Sequence, residues 1–292
     1  MKIAITTVLD DKYIPGFLIT FNSMLRCTGD MDFDLVILEW GDLREENKQL
    51  IKSIYPNTIF KTVDKKSYAS HEYDTTWRTW TYNCNYRFDI FTFTEYDKII
   101  FFDCDFIFKV SMKEIADIDV DFGACPAAIR QVHQIKNEIG FEGGLLIIGK
   151  KYINEKTKKN LLKIANSKPP HDDTIKSDKW ASDEPILNTH FLDKLTWLPV
   201  KYNLGIDKLT KEHFKTPHNY QFVGHNKPWY GTEPNEQFDK FIFDSWTKTN
   251  GAYLVPLLQK QLLTLYNEEV QALKEKHIYI SNYTGLISAL RY

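Results

Sequence analysis

Asp103 and Asp105 stand two residues apart in IIFFDCDFIF, residues 99–108, with apolar side chains on both sides of the pair. Successive strand residues point to opposite faces, so the two carboxylates are expected to share one side and Cys104 to face the other. Such a pair offers hard oxygen ligands suited to Mn²⁺ or Mg²⁺, and a cation held there also grips a diphosphate. The apolar flanks argue that the surroundings are buried, where two like charges are costly unless a cation compensates them. The plainer reading is a strand that ends in two solvated acids.

Other residues have chemistry in reach. Asp183 and Glu184 open DEPILNTHF (183–191), where acids favour a helix N-terminus whatever else they do. Arg87 lies ahead of the strand that leads to Asp103, and a guanidinium there suits a phosphate or sugar oxygen. Lys227 sits between Gly224 and Pro228-Trp229, a pattern for a rigid, aromatic-braced loop, although surface lysines are common. Haloacid-dehalogenase-like phosphatases also begin with apolar residues and D-x-D, the first aspartate acting as nucleophile. They carry it near the N-terminus, whereas here it falls about a third of the way along the chain.

The elements that must position these residues follow from periodicity. Lys2 to Val8 reads as a strand, and Ile14, Phe17, Leu18, Phe21 and Leu25 recur at helical spacing after it. Strands are expected at 33–40, 57–63, 97–102, 120–127 and 142–151. Helices are expected at 44–55, 78–94, up to 167, from 183, around 238–246 and over 254–274. Residues 64–77 and 166–180 read as loops. Alternating strands and helices predict an α/β fold with a mostly parallel sheet covered on both faces. Ligands bind such sheets just outside the carboxyl ends of the strands, and Asp103 follows one of those ends.

Composition narrows the function. The 292 residues carry 37 basic and 39 acidic side chains, a net charge of -2, with no basic stripe of the kind that binds nucleic acid. Four scattered cysteines (27, 84, 104 and 125) give neither a disulfide framework nor a zinc-binding spacing and fit a reducing compartment. The first apolar run is too brief for a signal peptide, and none approaches the ~18 residues of a membrane span. A cytoplasmic protein is expected, with one domain over 1–250 and a helical extension over 251–292. The leucine stripe of that extension (Leu257, Leu258, Leu262, Leu265) suits packed core better than a membrane or partner surface, and a homodimer stays open.

Six segments in order give the chain a resemblance to glycosyltransferase family 8, the group of glycogenin and the bacterial galactosyltransferases. They are VLDDKYIPG (8–16), RFDIFTFTEYDKIIFFDCD (87–105), GFEGGLLII (140–148), SDEPILN (182–188), LPVKYNL (198–204) and QFVGHNKPW (221–229). The resemblance implies a GT-A, Rossmann-like fold, a UDP-sugar donor (usually UDP-glucose or UDP-galactose), Mn²⁺ and transfer with retention. It further implies that Tyr13 stacks on the uracil, with Val8 and Asp10 near base and ribose. Arg78, Asn83 and Arg87 fall at donor-contacting positions, as do Cys104 and Gly143-Gly144, and Lys227 with Gly224 at the diphosphate. Asp183 and Glu184 are the candidates for the cationic sugar, Asp183 where the family has an acid and Glu184 where it has a glutamine near the anomeric carbon.

Two positions depart from the family. Its metal-binding histidine aligns with Gln221, and His225 stands four residues later, ~13 Å away in an extended segment. Gln221 can offer a carbonyl oxygen; His225 reaches in only if the loop bends. Glu142 replaces a sugar-contacting asparagine, so the donor hexose does not carry over. The expected function is therefore metal-dependent hexosyl transfer from a UDP-sugar to a glycan or protein acceptor. A UDP-sugar-binding module with weakened turnover, or a D-x-D phosphatase or phosphotransferase, is the alternative. A nucleotidyltransferase would show a glycine-rich loop after the first strand, and TTVLDDKY has none.

Overall fold

A computed structural model describes residues 1–68, 81–127, 140–169, 180, 182–223, 227–229 and 236–279, without the side chains of 81–83, 236–241 and 243. Its strands are β1 (Ile3–Val8), β2 (Asp34–Glu39), β3 (Ile59–Thr62), β4 (Lys98–Phe102), β5 (Phe106–Ile107), β6 (Phe122–Pro126), β7 (Phe141–Gly149), β8 (Thr196–Trp197), β9 (Leu204–Gly205) and β10 (Tyr220–Gln221). Its α-helices are α1 (Ile14–Thr28), α2 (Glu45–Ile54), α3 (Met112–Ala116), α4 (Glu155–Ala165), α5 (Asp183–Phe191), α6 (Glu236–Asn250) and α7 (Val255–Glu275). The chain divides into two compact units. The first comprises Met1–Asp11, Asp32–Asp103 and Ala116–Pro199, and the second Lys12–Met31, Cys104–Ile115 and Val200–Tyr292.

The first unit holds a seven-stranded sheet in the order β3-β2-β1-β4-β7-β6-β8. β1 pairs in parallel with β2 and β4, β2 with β3 and β6 with β8, while β7 alone runs antiparallel to its neighbours β4 and β6. The apolar sequences of β1, β2, β4 and β7 are those of strands buried on both faces, and β4 and β7 are buried throughout. Reversal of β7 has a geometric consequence. Phe102 at the end of β4 pairs with Leu145, so the start of β7 (Phe141 to Gly144) lies at the carboxyl edge of the parallel strands. Over this sheet Phe122 stacks on Phe191 of α5, ring centroids 3.8 Å apart, and Phe91 stacks on Phe191 at 5.6 Å.

The helix expected over 78–94 is a 3-10 helix over Thr81–Thr92, while 78–80 lie outside the described residues. Its sequence, TYNCNYRFDIFT, is built from asparagine, threonine and aromatics, which disfavour α-helix through side-chain competition for the backbone and lost rotamer freedom. Burial holds it in place instead, with Phe88, Ile90 and Phe91 entirely enclosed.

The second unit contains a small sheet of three two-residue strands, β5-β10-β9, antiparallel between β5 and β10 and parallel between β10 and β9. Ladders this short cannot fix a chain, and side chains of α1 do so. Thr20 Oγ1 accepts from the Phe106 N–H (2.9 Å) and donates to the Phe106 carbonyl (3.0 Å). Ser23 Oγ accepts from Phe108 N–H at 2.9 Å and Thr28 Oγ1 from Met112 N–H at 3.0 Å. From the other side Asn219 Oδ1 accepts from the N–H groups of Lys109 (3.0 Å) and Val110 (2.8 Å).

α7 packs in this unit through Leu258, Leu262, Tyr266, Val270 and Leu273. Of the leucine stripe, Leu258 and Leu262 are buried, Leu265 is partly buried, and Leu257 is 42% exposed. The Glu269 carboxylate, almost wholly buried, draws together Asn22 (3.3 Å) and Arg26 (3.0 Å) of α1 and Lys109 (3.4 Å).

Replacing Thr20 with valine keeps the shape but strands the Phe106 N–H and carbonyl in the interior. At ~1–3 kcal/mol per buried group left unpaired, the T20V protein is expected to lose about 2 kcal/mol or more of unfolding free energy in a urea titration. A loss below ~0.5 kcal/mol would show that these hydrogen bonds do not hold the strand.

Candidate active site

The first unit gathers its polar side chains at the carboxyl edge of the sheet. Arg87, buried in the 3-10 helix, is paired through Nε with the buried Asp183 carboxylate that opens α5. Its Nη1 donates to the Gly143 carbonyl at 2.7 Å, and its guanidinium lies 5.2 Å from the centre of the Phe101 ring. Asp103, just past β4, donates its N–H to the Gly144 carbonyl at 2.8 Å. Burial works against the Arg87 charge, but the Asp183 and Asp103 carboxylates overcome it and raise its pKa further. A Cβ on residue 143 would come within 2.8 Å of Arg87 Nη2, so glycine there is what lets the guanidinium lie on the β7 backbone.

Glu184 follows in the first turn of α5, and its Oε2 accepts from the Gly143 N–H at 3.2 Å. Desolvation and the charge of the buried Glu142, with Asp183 adding to them, push its pKa up to about 8 against the opposing pull of that N–H and Arg87. A carboxyl shifted in this direction keeps its proton to higher pH than an ordinary one, and in that form it can donate a hydrogen bond, as the amide of a glutamine does. The fully buried Asn188 fixes α5 to the start of β7. It accepts from the Phe141 N–H (2.8 Å) and donates to the Phe141 and Glu184 carbonyls, each at 3.0 Å. Sequence reasoning assigned Asn188 no part. The signal was an amide one helical turn after Glu184, at the close of SDEPILN.

The second unit gathers Asp105, Gln221 and Lys227, each 5–6% exposed. Lys227 Nζ meets Asp105 Oδ2 at 2.5 Å and also bonds the Phe222 carbonyl. Gln221 Nε2 donates to Asp105 Oδ1 at 3.2 Å, and the Phe222 N–H donates to the Asp105 carbonyl at 2.8 Å. Trp229 is buried, and a Cβ on Gly16 would collide with its ring and with the Cys104 carbonyl.

β4 ends at Phe102 and β5 starts at Phe106, so Asp103, Cys104 and Asp105 lie between strands and the alternation of a strand does not govern them. Cys104 and Asp105 are buried and Asp103 partly so. Val8 ends β1, with Asp10 just beyond it in the first unit; Tyr13 stands in the second, directly before α1. Asn83 belongs to the 3-10 helix, its side chain outside what is described; Arg78, Gly224 and His225 lie outside the described residues altogether.

Among the described residues no three His, Cys, Asp or Glu side chains gather as a metal site. The donor chemistry nonetheless fits a hard cation, because Asp103, Asp105 and Gln221 offer only carboxylate and amide oxygens. No described helix is long and apolar enough to cross a membrane.

A mostly parallel α/β sheet with one reversed strand, its polar residues collected at the carboxyl edge, defines a GT-A glycosyltransferase fold. The same architecture is found in the galactosyltransferase LgtC, solved with donor and acceptor sugar analogs (TM-score 0.63, 18% identity, 82% of this chain and 95% of that one). It is found as well in the bifunctional glycosyltransferase WbbM (TM-score 0.58, 20% identity, 84% and 49% covered). GlyE of Streptococcus pneumoniae is similar too (TM-score 0.56, 19% identity, 83% and 60% covered). Comparison with curated proteins gives no match. The profile of glycosyl transferase family 8 matches residues 4–233, and the chain belongs to that family. It is a glycosyltransferase.

The raised Glu184 pKa makes a stability prediction. Between about 4.5 and about 8 the folded protein keeps a proton that the unfolded chain releases, so this group's contribution falls as pH rises through that window. Glu184→Gln removes the dependence. Its melting temperature relative to the parent is expected to rise from pH 5 to pH 8 and then level off. A difference flat across that range would show that Glu184 titrates normally.

Proposed function

We propose that the protein is a retaining glycosyltransferase that moves a hexose from a UDP-sugar to a glycan or protein acceptor with the help of a divalent cation. The observation that carries this reading is the buried Asp105 carboxylate with a buried lysine and amide against it, two residues after an aspartate that follows a strand end. Asp103 and Asp105 are the residues that would hold Mn²⁺ or Mg²⁺, with Gln221 as third ligand; bound, the ion supplies Lewis-acid stabilisation of the departing diphosphate. Tyr13, Val8 and Asp10 are assigned to the nucleoside and Lys227 to the diphosphate.

Cleaving a glycosyl phosphate builds negative charge on the leaving group and positive charge on the sugar, and preorganised groups must meet both. Lys227 supplies a desolvated positive charge for the first. For the second, Asp183 is locked to Arg87, which fixes its orientation and leaves Glu184 as the less constrained carboxyl beside the sugar. Arg87, spent on Asp183 and Gly143, acts here by holding that edge in place rather than as a phosphate ligand. Glu184 serves as a polar group facing the anomeric region, a hydrogen-bond donor when protonated and a stabilising anion when not.

A second reading, a nucleotide-sugar-binding module with weakened turnover, is favoured by Gln221 and Glu142 at positions where the family carries other residues. One assay separates the two. Incubated with a panel of UDP-sugars and Mn²⁺, the enzyme is expected to release UDP, to stop on addition of chelator, and to lose about 10²-fold or more of its rate in Asp105→Asn. UDP binding without release under any donor or acceptor would favour the module. Phosphate release from simple phosphate esters would point to the phosphatase instead. Turnover of E184Q within a few-fold of the parent rules out an essential nucleophile at 184.

A further inference from the structure

Asp105 has no unoccupied oxygen. Oδ2 is taken by the Lys227 ammonium at 2.5 Å and Oδ1 by the Gln221 amide at 3.2 Å, all three side chains being at least nine-tenths buried. A divalent ion bound to Oδ2 would sit within a few ångströms of an ammonium in a region shielded from water, and two cations there repel strongly. Gln221 is the easier neighbour to accommodate, because turning its amide over presents the carbonyl oxygen where the NH₂ now points. Lys227 has no such option. Its ammonium carries donors and no acceptor, so to make room it must move away on its four-carbon stem.

We propose that Lys227 is the protein's own counter-cation for Asp105, one that must leave the carboxylate before a divalent ion can bind. A diphosphate, by accepting the displaced ammonium, then makes cation and nucleotide binding depend on each other. The inference rests on the cation-assisted reading above. It assigns Lys227 opposite effects in two states. Without nucleotide the lysine competes with the ion; with nucleotide it helps retain it. A lysine that only bound phosphate would show the second effect and not the first. By linkage, whatever factor UDP adds to cation affinity the cation adds to UDP affinity.

The test is direct binding of Mn²⁺, followed through the EPR signal of the free ion, with no turnover needed. Lys227→Met removes the charge and keeps the stem. Lys227→Gln keeps donors for Asp105 and Phe222 should the methionine variant fold poorly. Without nucleotide both variants are expected to bind Mn²⁺ about tenfold or more tighter than the parent, given the coupling measured for close charge pairs. With saturating UDP the order is expected to reverse.

Equal or weaker Mn²⁺ binding by the neutral variants in the absence of UDP would overturn the competition. Tighter binding that UDP fails to reverse would overturn the mutual dependence. If neither parent nor variants bind Mn²⁺ with or without UDP, the cation reading of the site fails, and this inference fails with it.

Discussion

A carboxylate enclosed in protein must be compensated, and Asp105 shows what that requires. Lys227 and Gln221 both turn their side chains toward it, while the Phe222 N–H holds the Asp105 backbone carbonyl and the Phe222 carbonyl accepts from Lys227. The small sheet is arranged around the same need. Its strands contribute two residues each, too few to specify a position, and α1 supplies the precision through hydroxyls that bind the chain just past Asp105. Glu269 draws α7 and α1 together with Lys109, so the C-terminal helix belongs structurally to the unit that carries Asp105.

The first unit solves a related problem with a different cation. Arg87 neutralises Asp183 and lies along the β7 backbone at Gly143, but one guanidinium cannot balance Asp103, Asp183 and Glu184 together, and Glu142 stands against Glu184 as well. Burial and crowding raise the pKa of Glu184, next to Glu142 and Asp183. A glutamic acid that holds its proton is close in chemistry to a glutamine, and the two diverge once it ionises. Asn188, by joining α5 to the first residue of β7, keeps that group aimed while its charge state changes.

Much of this was legible in the sequence. β1, β2, β4 and α2 announce themselves through β-branched runs and helical spacing, and the expected ranges differ from the observed ones by one or two residues. The site's residue types were legible as well, because carboxylates beside apolar strands are chemically conspicuous. Their partners were not. Arg87 and Asp183 are separated by 96 positions, and only the reversed direction of β7 brings Gly143 to the same edge. A run such as EGGLLIIG does not state its direction. Two-residue strands have no period to detect, and Thr20 and Ser23 look like tolerated polar residues in an apolar helix until the chain past Asp105 is laid against them.

The hydroxyl contacts of α1 bear on how such enzymes can be rebuilt. The loop from Asp103 to Asp105 looks like a portable cassette, three residues between two strands. Its exit is nonetheless held by side chains that lie more than eighty positions earlier in the chain. Grafting this stretch into another scaffold would transplant the acids without the helix that holds the chain just past Asp105. A chimera meant to carry this loop would have to inherit α1 along with it, and exchange the two as one inseparable module.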